Sequence, residues 1–321
     1  MKDENFITGR RNSIFLPPPL RKGDKIAIIS PASAVKEEYV FGAMERFRER
    51  GYEPVLMPYA LGHESGSYSA SKSDRLMDLL DVLQDEGIKV IFCARGGYGC
   101  AQLLPYFSYN MISSHPKWII GFSDVSALLA MMYVSEVASI HGPMAKHLST
   151  MPADNPCTQA LFNILESGGK FDYRLPSNPR NICGKATGVL RGGNLAVLND
   201  LASTPYDLLS MREEKDDFIL FLEDISEPIY AVERMLLRLY LSGALDNCKG
   251  LIFGRFTEYR PDKNYQTMED MLQAFTQLPL FPEMPVAFNF PVGHTDDNYP
   301  LVVGSKVELE VSPNVITLKS I

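Results

Sequence analysis

From Asp24 onward the apolar residues fall into two alternating rhythms: short solid runs, and stretches where they recur every three or four positions. DKIAIISPA gives way to VKEEYVFGAMERFRERG, where Val40, Met44 and Phe47 share one helical face and Gly51 ends it. EPVLMP and SKSDRLMDLLDVLQDEG repeat the strand–helix unit, the helix opened by capping residues and closed by Gly87. KVIFCAR, KWIIGFS and ASIHGP supply three more strands, the first two followed by helical stretches. Strands alternating with helices predict parallel βαβ units and an open, mainly parallel sheet flanked by helices.

Around residues 151–184 the rhythm breaks, with Pro152, Pro156, Pro176 and Pro179 flanking the single helical stretch CTQALFNILESGG. The pattern resumes with ATGVLRGGNLAVLNDL, DFILFLEDI, the long helical stretch EPIYAVERMLLRLYLSG, CKGLIFGRF, TMEDMLQAFTQ and MPVAFNF. GSKVELEVSPNVITLKS alternates on both sides of Pro313-Asn314, as a hairpin does. The expected layout is an α/β fold in two parts. An N-terminal α/β domain (14–150) carries the open, mainly parallel sheet. A connection (151–184) leads to a C-terminal mixed α/β domain (185–321) with antiparallel strands. No internal repeat is evident.

A chain of 321 residues with 45% apolar and 22% charged residues is long enough for two cores and is ordinary for a soluble globular protein. A net charge of −8 gives a phosphate backbone no basic footprint, so nucleic acid is excluded as a partner. No run approaches the ~18 uninterrupted apolar residues of a membrane helix, and MKDENFITGRRNSIFLPPPLRKGD reads as a flexible lead-in rather than a signal. The five cysteines are scattered without a C-x-x-C pair, which fits reduced thiols, a cytoplasmic location and no metal site.

Ligands gather at the carboxyl ends of parallel strands, and four reactive pieces sit at such ends. In GFSDV, Ser123 is either a helix N-cap or a nucleophile on a strand-to-helix corner. It has the leading glycine of G-x-S-x-G but Val125 in place of the second. CARGGYGCAQLL fails G-x-G-x-x-G at Gln102 and lacks the lysine of a phosphate loop. Gly96 and Gly97 instead offer a backbone that a ligand can approach closely, as an oxyanion site requires, or simply a tight turn. Glu223 closes the apolar strand FILFL and is not needed as a cap, because Asp224 and Ser226 suffice to start the next helix. His294 in FNFPVGH follows another strand. Of the other histidines, His63 lies in a polar loop, His115 precedes a proline, and His141 and His147 flank the end of the first domain. None forms H-E-x-x-H. Ser123, Glu223 and His294 together supply nucleophile, acid and base, a set that works only if folding brings them into one cleft.

With these residues in place, the chain resembles the LD-carboxypeptidase family, serine peptidases that include the muramoyl-tetrapeptide carboxypeptidases and the microcin C immunity peptidases. From about Gly23 to Leu318, GDKIAIISPAS, ARGGYG, GFSDVSALL, HGPM, GGNLAVL, LFLED and PVGH occur in the family's order. The resemblance implies Ser123 as nucleophile, His294 as general base and Glu223 as its orienting acid. It also implies Gly97 and Asp124 N–H groups as the oxyanion site, and Gly96, Tyr98 and Asn194 beside the substrate. It implies a homodimer, no cofactor, and a small peptide or muropeptide substrate losing its terminal D-alanine in peptidoglycan recycling. A peptidyl-nucleotide amide is the alternative within the family, and a non-enzymatic binder of wall fragments, with Ser123 only a cap, is the alternative outside it. Arg191 and the stretch TDDNYPLVVG depart from the family's usual pattern. Arg191 is the candidate for gripping a free carboxylate through two hydrogen bonds.

Overall fold

The strand–helix alternation of the first half folds into five parallel strands. A computed structural model describes residues 14–62, 67–209, 217–281 and 284–321. Within it, β1 (Lys25–Ile29), β2 (Glu53–Leu56), β3 (Ile88–Cys93), β4 (Trp118–Gly121) and β5 (Ser139–His141) pair in the order β2-β1-β3-β4-β5. Helices α1 (Glu37–Glu49), α2 (Lys72–Gln84), α3 (Tyr109–Ser113) and α4 (Ser126–Val134) lie between these strands, and α5 (Ala145–Thr150) and α6 (Pro156–Ser167) follow them. The lead-in through residue 13 and His63 lie outside the described residues.

Covering by helices on both faces explains the solid apolar runs: every residue of β4 is buried, and all but one of β3. Helix α4 is buried on all sides from Ser126 to Tyr133, so it carries no polar face. Helix α6 has a complete set of end signals. The Asn155 side chain accepts from the Cys157 and Thr158 N–H groups, Pro156 opens the first turn, and Gly168 is left-handed at the end. Such an N-cap is worth about 1 kcal/mol. Helix α2 stops short of Gly87, because Asp85 turns extended and its carboxylate accepts the Gly87 N–H instead.

The second half forms a seven-stranded sheet from β6 (Asp172–Pro176), β7 (Gly184–Asn194), β8 (Phe218–Ile225), β9 (Cys248–Thr257), β10 (Val286–Ala287), β12 (Lys306–Val311) and β13 (Val315–Ser320). Strands β10, β9, β8 and β7 run parallel, and β12, β13 and β6 extend the sheet antiparallel. The predicted hairpin is β12–β13, closing at Val311 opposite Ile316. Helices α7 (Leu195–Asp200), α8 (Ile229–Leu241) and α9 (Met268–Phe275) connect the parallel part. In α9, Thr267 and Asp270 each accept the other's backbone N–H, a complete capping box.

One strand leaves this half. Leu301–Val303 (β11) pairs antiparallel with β5, Leu301 opposite His141, and closes the edge of the first sheet. The two compact units are therefore Met1–Gly169 with Pro300–Gly304, and Lys170–Tyr299 with Ser305–Ile321. No helix among the described residues is long and apolar enough to cross a membrane.

In the first sheet the chain order reverses between β1 and β3. That switch point, at the carboxyl ends of the strands, is where open α/β sheets leave a crevice for ligands.

Candidate active site

Ser123 opens a short 3-10 turn (Ser123–Val125) between β4 and α4. The cap positions of that turn and of α4 are Phe122 and Val125, and neither side chain caps, so Ser123 is not the helix cap. Its φ is +63°, in the left-handed region that costs a non-glycine residue about 1–2 kcal/mol. A left-handed serine on a strand-to-helix corner is the geometry that holds a nucleophile away from its own backbone.

The glycine loop after β3 lies against this corner. A β-carbon at Gly96 would stand 2.9 Å from Ser123 Cβ and 3.2 Å from Ser123 Oγ, so only glycine fits there. The loop is braced from the other side of the switch point. Ser33 N–H donates to Gly96 O at 3.1 Å, and Ser33 Oγ accepts the Tyr98 N–H at 3.3 Å. The Asp124 carboxylate accepts the Cys100 N–H at 2.8 Å and ties the loop to the serine turn. Burial pushes the Asp124 carboxyl above its ordinary range, against the pull of that N–H. Tyr98 stands 59% exposed, its ring 6.0 Å from that of Tyr68.

In the second unit Glu223 is wholly buried near the end of β8, opposite Asn194 on β7, where the pairing with β9 slips between Leu222 and Asp224. Such a bulge re-aims a side chain, and here the Glu223 Oε2 meets His294 Nδ1 at 2.7 Å. The histidine arrives from the loop after β10, laid beside β9 by the Arg255 N–H bond to Val292 O (2.9 Å) and by Gly293 N–H donating to the buried Asn298 Oδ1 (2.9 Å). Burial alone would lower the His294 pKa. The hydrogen bond and charge of Glu223, with Asp224 and Glu258 further out, outweigh it, and the net shift is upward.

Each predicted residue now has a place. Ser123, Asp124, Gly96, Gly97 and Tyr98 meet in the first unit, and Glu223, His294 and Asn194 meet in the second. Asn194 spends its side chain on structure: Oδ1 caps α7 at Val197 N–H, and Nδ2 donates to Asp224. Arg191 is 2% exposed with its guanidinium 4.7 Å over the ring of Phe218, at the far end of β8 from Glu223. Phe218 and Glu223 are five strand positions apart, about 16 Å of extended chain.

Three residues escape the sequence reading. Asn298 pins the histidine loop, and Asp224 accepts from Asn194, Ala196 and Ile225 behind Glu223, with burial raising its carboxyl to about 6. Arg75 gathers the loops of the first switch point. Arg75 sits in no motif; Asp224 closes LFLED and Asn298 lies in TDDNYPLVVG, but neither motif marks these roles, and Asp224 does not start the next helix, whose N-cap is Pro228. The only local signal is a charged or amide residue beside apolar neighbours, which is common. Among the described residues no three His, Cys, Asp or Glu side chains group closely enough to hold a metal ion.

Residues 26–142 match the LD-carboxypeptidase N-terminal domain and residues 187–309 match the LD-carboxypeptidase C-terminal domain. A Synechocystis relative named as a carboxypeptidase is 32% identical over 92% of this chain and 95% of its own. The murein tetrapeptide carboxypeptidase of Pseudomonas aeruginosa is 29% identical over 89% of this chain and 93% of its own. The crystal structure of the muramoyltetrapeptide carboxypeptidase from Oxalobacter formigenes superimposes with a TM-score of 0.80 at 28% identity, covering 92% of this chain and 98% of that one.

Proposed function

The chain belongs to the LD-carboxypeptidase family of serine hydrolases, and from that premise we propose that it removes the terminal D-alanine from muropeptide tetrapeptides. The 2.7 Å bond between His294 and the buried Glu223 carries this reading. An ionised carboxylate only accepts, so Nδ1 bears the proton and Nε2 becomes the basic nitrogen. His294 Nε2 takes the Ser123 proton as Oγ attacks the amide carbon, and Glu223 holds the tautomer and stabilises the imidazolium. The Gly97 and Asp124 N–H groups receive the oxyanion, each such donor being worth ~10²–10³ in turnover. His294 then protonates the departing amine. Water activated by the same imidazole releases the acyl group.

The left-handed Ser123 supports a nucleophile over a binder's cap. Relatives named for murein peptides match this chain at 28–29% identity and the Escherichia coli microcin C7 self-immunity protein at 25%, so the tetrapeptide is the first substrate to test and a peptidyl-nucleotide the second. The test is mass spectrometry of the purified protein with a defined tetrapeptide muropeptide and with a peptidyl-sulfamoyl nucleotide. Release of D-alanine from the first, lost in Ser123→Ala, is expected. Cleavage of only the second moves the assignment to the immunity activity. Retained binding with no turnover of either leaves a binding protein.

A further inference from the structure

One buried charge at the first switch point has no part in the chemistry above. Arg75 of α2 is 2% exposed, yet the acceptors of its hydrogen bonds are all neutral. Nη1 donates to Pro31 O (2.7 Å) and Gly99 O (3.1 Å), Nε to Ala70 O (3.3 Å), and Nη2 to Gln102 Oε1 (2.8 Å). The guanidinium also lies 4.8 Å over the Tyr68 ring, whose hydroxyl accepts from Gln102 Nε2 at 3.0 Å. Taking a cation out of water costs several kcal/mol, so a merely structural tie has cheaper solutions. What a guanidinium uniquely offers is a rigid planar fork that reaches several acceptors at once.

Those acceptors belong to the loops that follow β1 and β3 and to the segment entering α2. Between β3 and Cys100 the loop contains Gly97 at φ +106° and Gly99 at φ +138°, conformations that glycine adopts and leaves with equal ease. Ser33 fixes the loop at Gly96 and Tyr98, and Asp124 fixes it at Cys100. The Gly99 carbonyl accepts the Gln102 N–H at 3.2 Å as well as Arg75, and Arg75 also holds Pro31 two residues before Ser33, so one guanidinium ties the far end of the β3 loop to the segment that braces its start.

We propose that Arg75 is a positioning residue for the oxyanion site, fixing the 97–99 backbone so that the Gly97 N–H points at the reacting carbonyl oxygen. This rests on the peptidase reading above. A displacement of about 1 Å in such a donor costs on the order of 10²-fold in rate.

The experiment compares Arg75→Lys and the milder Gln102→Leu with wild type. Expected for Arg75→Lys is a roughly 10–100-fold fall in kcat with KM within about threefold. Affinity for a peptidyl boronic acid, which bonds to the serine and places an oxygen in the oxyanion site, should fall by the same factor as kcat/KM. Affinity for a non-cleavable tetrapeptide analogue should stay within about threefold. Gln102→Leu should show the same split at smaller size, and millimolar guanidinium should restore part of kcat to Arg75→Ala. Folded variants with wild-type kcat and boronate affinity, whatever their melting temperature, overturn the role. If the lysine variant does not fold, Gln102→Leu decides. A wild-type protein without turnover overturns the peptidase reading instead, and the two failures are told apart by that control.

Discussion

The space beside Gly293 is filled by Glu223: a β-carbon at 293 would stand 2.7 Å from the Oε2 that binds His294 and 2.8 Å from Glu223 Cβ. With φ at +116°, the position also suits glycine alone. The residue before His294 is thus shaped by the carboxylate that binds the imidazole. Gly293→Ala should push the carboxylate and imidazole apart, lowering kcat by about 10²-fold and stability by roughly 1–3 kcal/mol. Steady-state kinetics and denaturant titration measure both. Wild-type kcat in the alanine variant would show that the pair tolerates displacement.

The left-handed Ser123 makes a prediction about stability that is separate from chemistry. Glycine is normally ~0.5–1 kcal/mol less stable than alanine in ordered backbone, but a left-handed site removes or reverses that order. Ser123→Gly should therefore match or exceed Ser123→Ala in melting temperature, while both lose turnover. Alanine more stable than glycine by the usual margin would mean that the backbone at 123 relaxes.

His294 is charged more readily than a free imidazole, because Glu223, Asp224 and Glu258 outweigh its burial. The base must be neutral to act, so kcat/KM should rise with pH through a midpoint above 6.5. Glu223→Gln leaves burial as the dominant influence, so the midpoint should move down as the plateau falls by ~10³–10⁴. The linked stability has the opposite direction in pH. It is fully present below the unfolded value and is lost as pH rises through the folded one. A pH–rate profile with an unmoved midpoint in the glutamine variant would separate Glu223 from the titration.

Asp78 on α2 is 2% exposed, accepts the Tyr59 N–H at 3.1 and 3.4 Å, and is pushed up to about 7 by burial. The folded protein holds this proton where the unfolded chain has released it, so stability falls as pH climbs from about 4 to about 7, by roughly 2–4 kcal/mol. Asp78→Asn keeps an acceptor for Tyr59 and carries no charge. Its melting temperature should draw level with wild type near pH ~4 and exceed it increasingly towards pH ~8. A difference independent of pH would show that the carboxyl ionises freely in the fold.

Much of this molecule was legible along the chain because its signals are local. Solid runs and helical spacing placed β1, β3, β4 and α1 to within about three residues at each end, and glycine and serine at strand ends singled out Gly96, Ser123 and His294. Arg191 shows where local reading ends. A guanidinium reads along the chain as a carboxylate grip, and only the fold shows it buried near the end of β7 with its plane over Phe218. Asn194 likewise reads as a ligand group and serves as the cap of α7.

The sequence by itself determined the order and type of most elements, though not of β6 inside the expected connection or of β11, and the residue types at the strand ends, because periodicity and end signals depend only on neighbours within a turn or two. Tertiary structure alone decided that Leu301–Val303 joins the first sheet, that Asn298 steadies the loop of His294, and that Arg75 gathers Pro31, Ala70 and Gly99. Each of these is a hydrogen-bonding choice among partners brought together by the packing of whole sheets. A three-residue strand or a lone arginine carries too little pattern to name its partner before the chain has folded.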